Sequence, residues 1–570
     1  GFRRGGSPFE GHVERDVPGI EWGTGNLGQG LSAAVGFALA ARLRAGATFN
    51  GSGWEGGSSR VARVFCAMGD GEQQKGQPSE ARRFAARYGL TNLVVLLDWN
   101  HEQLSGSNAE IMPQNIVDEW KADGWNVLEI DGHDFRAIYR AVRAALASAT
   151  PTFIAAHTVM SKGVPFMEKE GFKWHGAALP VDKCKEALAV VGVPDDLEHW
   201  VAERKKPAPD WHARLPHRPE EALVLTDAGA PRNYPADKQT DNRSAFGNAV
   251  DDLAEIARKS GIPFAVLDCD LSVSTKTDET LKKHPAAFFQ AGIAEHHTAV
   301  MNGALSLAGV QSWWGEFSMF GVAEAYNQQR LNDINDANAK VAVTHAGIDV
   351  GEDGKTHHSI DYFGLFNSTL GWHLFTPADP NQTDRVVRHM ATHRGNHVLV
   401  MGRSKVPVVT REDGSPFFGD DYVFDPGRAD RLRSGDVLTL VAAGAAVPYA
   451  LEAHGLLAAE GTRVDLVSVA AWTDLSDDDA RFIARHGAVV TVEDHNPKTG
   501  LGTWIQVKLN ELGLLCRVRK MGVTKYSSSG PAKELYKLMG LDAQAIAAVV
   551  KEELSRRAAA PAGTSVTSSE

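Results

Sequence analysis

The residues best placed to do chemistry begin at Gly69-Asp70-Gly71-Glu72. A carboxylate between two glycines puts an oxygen ligand on a turn whose backbone can approach a phosphate closely. The apolar run Val61 to Met68 precedes it, and a second run, Leu93 to Leu97, continues through Asp98 and Trp99 to Asn100. Both have buried-strand length, and the intervening stretch is helical by pattern. In a parallel sheet the two turns leave the same carboxyl edge, where ligands bind. Asp70 and Asn100, distant in sequence, can then meet in space. Their side-chain oxygens, with a backbone carbonyl and phosphate oxygens, suit magnesium or calcium. The helix after Gly71 turns its amide end toward the phosphate. A lone Gly-Asp-Gly is more often an ordinary turn; the strand context and the terminal asparagine give this one its weight.

The elements that must hold these groups alternate along the chain. After Asn100 come a strand from Trp125 to Ile130, a helix over 134–148 and a strand from Thr152 to His157. A second alternating unit runs from about 241 to 415, with strands at Phe264–Asp268, Lys340–Thr344 and His397–Met401. A third begins near 430, with strands at Val437–Ala443, Arg463–Val469 and Val489–Val492. This alternation predicts an α/β protein of three doubly wound domains with mainly parallel sheets. The expected boundaries are 1–190, 241–415 and 430–557. Residues 191–240, interrupted by Pro194, Pro207, Pro209, Pro216, Pro219, Pro231 and Pro235, read as a linker. The Ala-, Ser- and Thr-rich residues 558–570 read as a disordered tail.

The chain has 570 residues, with 59 Lys plus Arg against 71 Asp plus Glu and a net charge of −12. That balance argues against a nucleic-acid-binding surface, so any phosphate site must be a local cluster. No apolar run reaches membrane-spanning length, and no signal-peptide core follows the first glycines and arginines. Cys66, Cys184, Cys269 and Cys516 are scattered, which fits reduced cysteines in a cytoplasmic protein.

Further stretches carry candidate groups. Thr24 to Gly30 is a glycine-rich turn feeding a small-residue helix, equally suited to a cofactor cradle or to a close helix–helix contact. Glu295, in Ala291-Gly292-Ile293-Ala294-Glu295-His296-His297, stands at a helix start, where a capping carboxylate is the ordinary explanation. Trp313 to Phe320 is aromatic-rich and would ordinarily be core.

The block GDGEQQKGQPSEARRFAARYGLTNLVVLLDWN resembles the thiamine diphosphate fingerprint of transketolases, and the resemblance extends from about Gly11 to about 555. It implies the thiamine diphosphate-binding fold, with diphosphate-binding and pyrimidine-binding domains, plus a transketolase carboxy-terminal domain. It gives Asp70, Asn100 and the carbonyl of Glu102 the metal, Mg2+ or Ca2+, which holds the diphosphate beside Gly69 and Gly71. Leu27 would touch the aminopyrimidine ring by its backbone. His12, in a Gly-His-x-Glu setting, would contact substrate. His175, in Phe172 to Ala177, would stand where cofactor and substrate meet. Thiamine chemistry needs a carboxyl group at the distal ring nitrogen to promote the imino tautomer of the cofactor, which then acts as base; the resemblance gives that task to Glu295. Phe317 and Phe320 would pack the ring. His345 would handle the sugar carbonyl or its adjacent hydroxyl, Asp353 a further hydroxyl and His357 the phosphorylated end. Arg243, Ser274 and Arg403 would form the phosphate clamp.

The implied activity is that of a transketolase of the pentose phosphate pathway. It transfers a two-carbon ketol unit from a ketose phosphate to an aldose phosphate, through a thiamine diphosphate carbanion. The two halves of each site would come from different subunits of a homodimer. Three rivals remain: a decarboxylating thiamine enzyme such as deoxyxylulose phosphate synthase or the first component of a 2-oxo acid dehydrogenase, a cofactor-binding but inactive partner, and an ordinary nucleotide-binding protein. The loop with Asp353 and His357 suits a polyol chain and favours the first reading. No Gly-x-x-x-x-Gly-Lys-Ser/Thr loop supports the last.

Two departures from the family bear on this reading. Comparable transketolases carry roughly a further quarter-domain before the Gly-His turn, including two histidines that contact cofactor or substrate; a first unit without it is expected to lack a helical layer and expose apolar surface. Lys75 stands where many members have a glutamate, in an acid chain between the two active sites, while Glu80 keeps its place. Reversing that charge is expected to weaken the coupling between sites and to leave catalysis nearly intact.

Overall fold

A computed structural model describes residues 2–58, 60–207, 209–210 and 223–559. The runs ending at the Gly-Asp-Gly turn and at Asn100 form the parallel strands Val64–Gly69 and Leu93–Trp99. Their sheet has four strands, in the order Val64–Gly69, Leu93–Trp99, Thr152–His157, Asn126–Asp131, all parallel. Gly69 pairs with Asp98, so the turns carrying Asp70 and Asn100 leave the same edge.

The second unit is a six-stranded parallel sheet, in the order Phe288–Gln290, Phe264–Asp268, Gln311–Phe317, Lys340–Thr344, Asn396–Val400, Trp372–Phe375. Phe264–Asp268, Lys340–Thr344 and Asn396–Val400 are buried along their whole length. That is why their centres read as apolar, without a polar alternation. The third unit has five strands, in the order Asp430–Arg433, Asp465–Ser468, Thr439–Ala442, Ala488–Val492, Arg517–Met521, with only the first antiparallel. Its two edge strands, Asp430–Arg433 and Arg517–Met521, are rich in charge and carry no apolar run, so the sequence reading passed over them.

The helix Gln29–Arg44 makes a close contact with another helix. It packs along the helix Glu295–Leu307 of the second unit. A Cβ on Gly36 would lie 2.8 Å from the Ala304 Cβ and 2.9 Å from the Met301 carbonyl oxygen, so the small residues serve a close helix–helix contact.

Strand Val64–Gly69 is an outer edge of its sheet, and Phe65 on it is 49% exposed. Beside it runs a groove of about 1220 Å3 lined by Val13, Trp22, Ala34, Phe37, Phe65 and Leu307 among others. Apolar side chains therefore line an open groove along this edge strand. Among its described residues the proline-rich stretch contains one helix, Leu197–Lys205, and residues 223–239 carry neither helix nor strand. At the far end, 558 and 559 close the helix Ala543–Ala559 and are not part of a disordered tail; 560–570 lie outside the described residues. Among the described residues no helix is long and apolar enough to cross a membrane.

Candidate active site

Asp70 is 2% exposed at the end of its strand. Its Oδ1 accepts the Gly71 amide at 2.8 Å, and its Oδ2 accepts the His101 amide at 2.6 Å. His101 reaches that position through a left-handed backbone, φ 64°. Asn100 Oδ1 accepts the Glu102 amide at 2.9 Å. Asp70 has no ion-pair partner among the described residues, and Glu102 Oε2 is buried without a hydrogen bond. A buried carboxyl oxygen without a donor, as at Glu102, is costly unless a cation approaches, whereas the Asp70 oxygens are held in place by backbone amides. The donors present are all hard oxygens, so the loop fits a divalent ion of the magnesium or calcium type. The turn is braced by Glu72, which the sequence reading did not single out. Its carboxylate accepts the Gly28 amide at 2.7 Å and the Gly69 amide at 2.9 Å, and burial raises its pKa against those two bonds. Gly28 lies far back in the chain, so nothing local to Glu72 signalled the pairing.

Glu295 opens the helix Glu295–Leu307, half-buried. The first amides of a helix have no partner within it. Here Glu80 of the first unit accepts the His297 amide at 2.8 Å, while the Gln77 side-chain amide donates to the His296 carbonyl at 3.1 Å. His296 lies between Glu80 and Glu324, 3.8 and 3.9 Å away. Burial raises the Glu295 carboxyl, and the Glu324 charge adds to this. An acid so poised can keep a proton where a ring nitrogen needs one.

At the carboxyl edge of the six-stranded sheet, Phe317 and Thr344 are paired in register, with His345 the next residue. The Phe317 and His345 rings stack with centroids 3.8 Å apart. A π-helical turn, Met319–Glu324, follows directly and brings Phe320 parallel to Phe317 at 6.2 Å and edge-on to His357 at 5.4 Å. His345 Nδ1 is 2.7 Å from Thr344 Oγ1. Burial, reinforced by the Arg243 and Arg403 charges, pushes the His345 pKa down to about 3.

Arg243 sits in the first turn of the helix Asn242–Ser260, whose Asp241 cap accepts the Ser244 amide at 2.9 Å. Its Nη1 donates to the Ser274 carbonyl at 2.9 Å and its Nη2 to the Arg403 carbonyl at 2.8 Å, while its buried Nε has no hydrogen bond. Arg403 is anchored by Asp349, which accepts its amide at 2.6 Å, and its side chain pairs with Glu352. Three residues far apart in sequence thus form one cluster beside a helix start, a suitable anion site.

The remaining candidates lie at the surface. His12 lies against Gly25, exposed; Leu27 is 62% exposed; His175, after the turn Gly171–Trp174, and Asp353 are exposed. Within the chain, no hydrogen bond, ion pair or ring contact among the described residues joins the Asp70–Asn100 loop to the Phe317–His345 cluster. Asp494, in the third unit, was also missed, because its partners lie in the loop after His345.

Profiles of the transketolase thiamine diphosphate binding domain, the pyrimidine binding domain and the C-terminal domain match residues 1–206, 238–408 and 427–546. The chain is 28% identical to mouse transketolase-like protein 2 over 556 residues, spanning 96% of this chain and 83% of the relative. It is 26% identical to human transketolase over 562 residues, with 96% and 83% covered. The fold is shared with the transketolase of Campylobacter jejuni, at a TM-score of 0.74 and 24% identity over 97% of this chain and 86% of that one. The chain belongs to the transketolase family and carries its three domains, thiamine diphosphate-binding, pyrimidine-binding and carboxy-terminal.

Proposed function

We propose that the protein is a transketolase, moving a two-carbon ketol unit from a ketose phosphate to an aldose phosphate. The observation that carries the reading is the joining, at one sheet edge, of the stacked Phe317–His345 pair with the Arg243–Ser274–Arg403 cluster. An aromatic surface, a neutral imidazole and a cationic clamp side by side suit a sugar with a phosphate at its far end.

In this reading Asp70, Asn100 and the Glu102 carbonyl hold Mg2+, and Gly69 and Gly71 leave room for a diphosphate. When bound, thiamine diphosphate supplies the nucleophilic carbon and the sink for the electron pair released by carbon–carbon cleavage. Glu295 holds a proton at the pyrimidine nitrogen, and Phe317 and Phe320 pack the ring, with the Leu27 backbone and His175 near it. His345, neutral and ringed by positive charge, takes and returns the sugar hydroxyl proton; His12 contacts the same end. Asp353 and His357 bind the polyol chain, and Arg243, Ser274 and Arg403 bind its phosphate. Membership of a family with separate diphosphate-binding and pyrimidine-binding domains supports a homodimer whose sites take one half from each copy. The cysteine pattern supports a cytoplasmic place.

The test is turnover of xylulose 5-phosphate with ribose 5-phosphate, with and without added thiamine diphosphate and Mg2+. Transfer that depends on both is expected. Release of carbon dioxide from pyruvate would favour a decarboxylase, and cofactor binding without turnover an inactive partner.

A further inference from the structure

The carboxy-terminal domain reaches the phosphate clamp. Asp494 follows the parallel strand Ala488–Val492 and is 5% exposed. Its Oδ1 accepts the Ile348 amide at 2.9 Å. Its Oδ2 accepts the Asp349 amide at 3.2 Å and the Tyr536 hydroxyl at 2.7 Å. Tyr536 is itself buried and stacked on Tyr449, centroids 4.3 Å apart. The approach is possible because residue 347 is glycine with φ 69°: a Cβ there would lie 2.1 Å from the Asp494 carboxyl.

Asp349 passes the contact on. Its Oδ2 accepts the amides of Arg403 at 2.6 Å and Ser404 at 2.8 Å. Gly402 clears the space, since a Cβ there would lie 2.3 Å from that oxygen. Arg403 gives its carbonyl to Arg243, and Arg243 gives its other nitrogen to Ser274. An unbroken run of hydrogen bonds therefore joins Tyr536 in one domain to both arginines of the clamp in another. Burying the carboxyls of two residues that are linked by one backbone hydrogen bond costs stability, and apolar packing would hold two domains together at lower cost. A requirement for position accounts for the pair where adhesion alone does not.

We propose that Asp494 is a positioning residue for phosphate recognition: through Asp349 it sets the placement of Arg403 and Arg243, so that the carboxy-terminal domain tunes affinity for phosphorylated sugars. This rests on the clamp assignment made above. The telling variant is Asp494→Asn in the holoenzyme. It keeps the shape and can still accept from the Ile348 amide, but sets an amide nitrogen against the Asp349 N–H. Three quantities are compared with the wild type: KM for a ketose phosphate, KM for a ketose without phosphate, and the calorimetric affinity for inorganic phosphate.

The expected result is a rise of roughly tenfold in KM for the phosphorylated donor, the scale of one charge-assisted hydrogen bond. KM for the unphosphorylated donor changes by less than about twofold, and inorganic phosphate binds more weakly by the same roughly tenfold factor. Tyr536→Phe, which removes one donor to the same carboxylate, shifts the same quantities in the same direction by less; it carries the test if the first variant does not fold. Equal shifts for both donors, or unchanged phosphate affinity in the folded variants, overturn the proposal. If the wild type transfers no ketol unit yet binds phosphate more tightly than the variants, the functional reading falls and the positioning role stands.

Discussion

His345 lies face to face with Phe317, ring centroids 3.8 Å apart, on a left-handed backbone of φ 58°. The stack holds the imidazole at the end of its strand, and Arg243 and Arg403 add positive charge around it. Most of the chemistry assigned to the substrate side depends on this ring staying neutral.

Its titration is therefore the first test. Burial and the two arginines lower the His345 pKa to about 3, against 6.5 for an unperturbed histidine. Between those values the unfolded chain binds the extra proton and the folded chain does not. The His345 contribution to stability is complete above 6.5 and is lost as pH falls toward 3. Nitrogen-15 imidazole spectra should show the ring neutral from pH 8 down to 5; protonation near pH 6.5 would contradict the buried, stacked placement.

Glu295→Ala removes the acid at the start of its helix. Turnover should fall by at least about a hundredfold, the lower end of what a positioned acid–base group supplies. Calorimetry should still find thiamine diphosphate bound, because the metal loop lies in the other domain. A variant with near-normal turnover would remove Glu295 from the chemistry.

Asp70→Ala deletes the buried carboxylate of the metal loop. Wild-type holoenzyme should gain thermal stability from Mg2+ with thiamine diphosphate, by mass action on the folded state, and lose it on chelation. The variant should show neither effect. An unchanged response to the metal would place the ion elsewhere.

Gly36→Val tests the helix pairing. The added atoms meet Ala304 and Met301 within 2.9 Å of the new Cβ. Overpacking of this kind costs about 1–3 kcal/mol, with backbone shifts that the helix Glu295–Leu307 would share. Denaturant melts should record that loss, and an unaltered midpoint would show that the two helices can part freely.

Lys75 is exposed, whereas Glu80 caps the amide of His297. Lys75→Glu should leave the single-turnover rate within about twofold, as befits a surface change. It should alter the dependence of one site on occupancy of the other. A large change in the single-turnover rate would mean that Lys75 acts on the chemistry itself.

By itself the sequence determined the class of fold and the identity of many candidate groups, for a local reason. Strands buried on both faces, such as Phe264–Asp268 and Lys340–Thr344, have apolar centres, and a Gly-Asp-Gly turn after such a strand is legible without its surroundings. The charged edge strand Arg517–Met521 had no such signature. Only the tertiary structure decided which groups work together. Glu72 with Gly28, Glu80 with His297, and Asp494 with the loop after His345 are hydrogen bonds between distant segments. Strand register and the close approach allowed by Gly36, Gly347 and Gly402 create them. No periodicity along the chain records such meetings, because each depends on two surfaces whose separation is settled only when the domains pack.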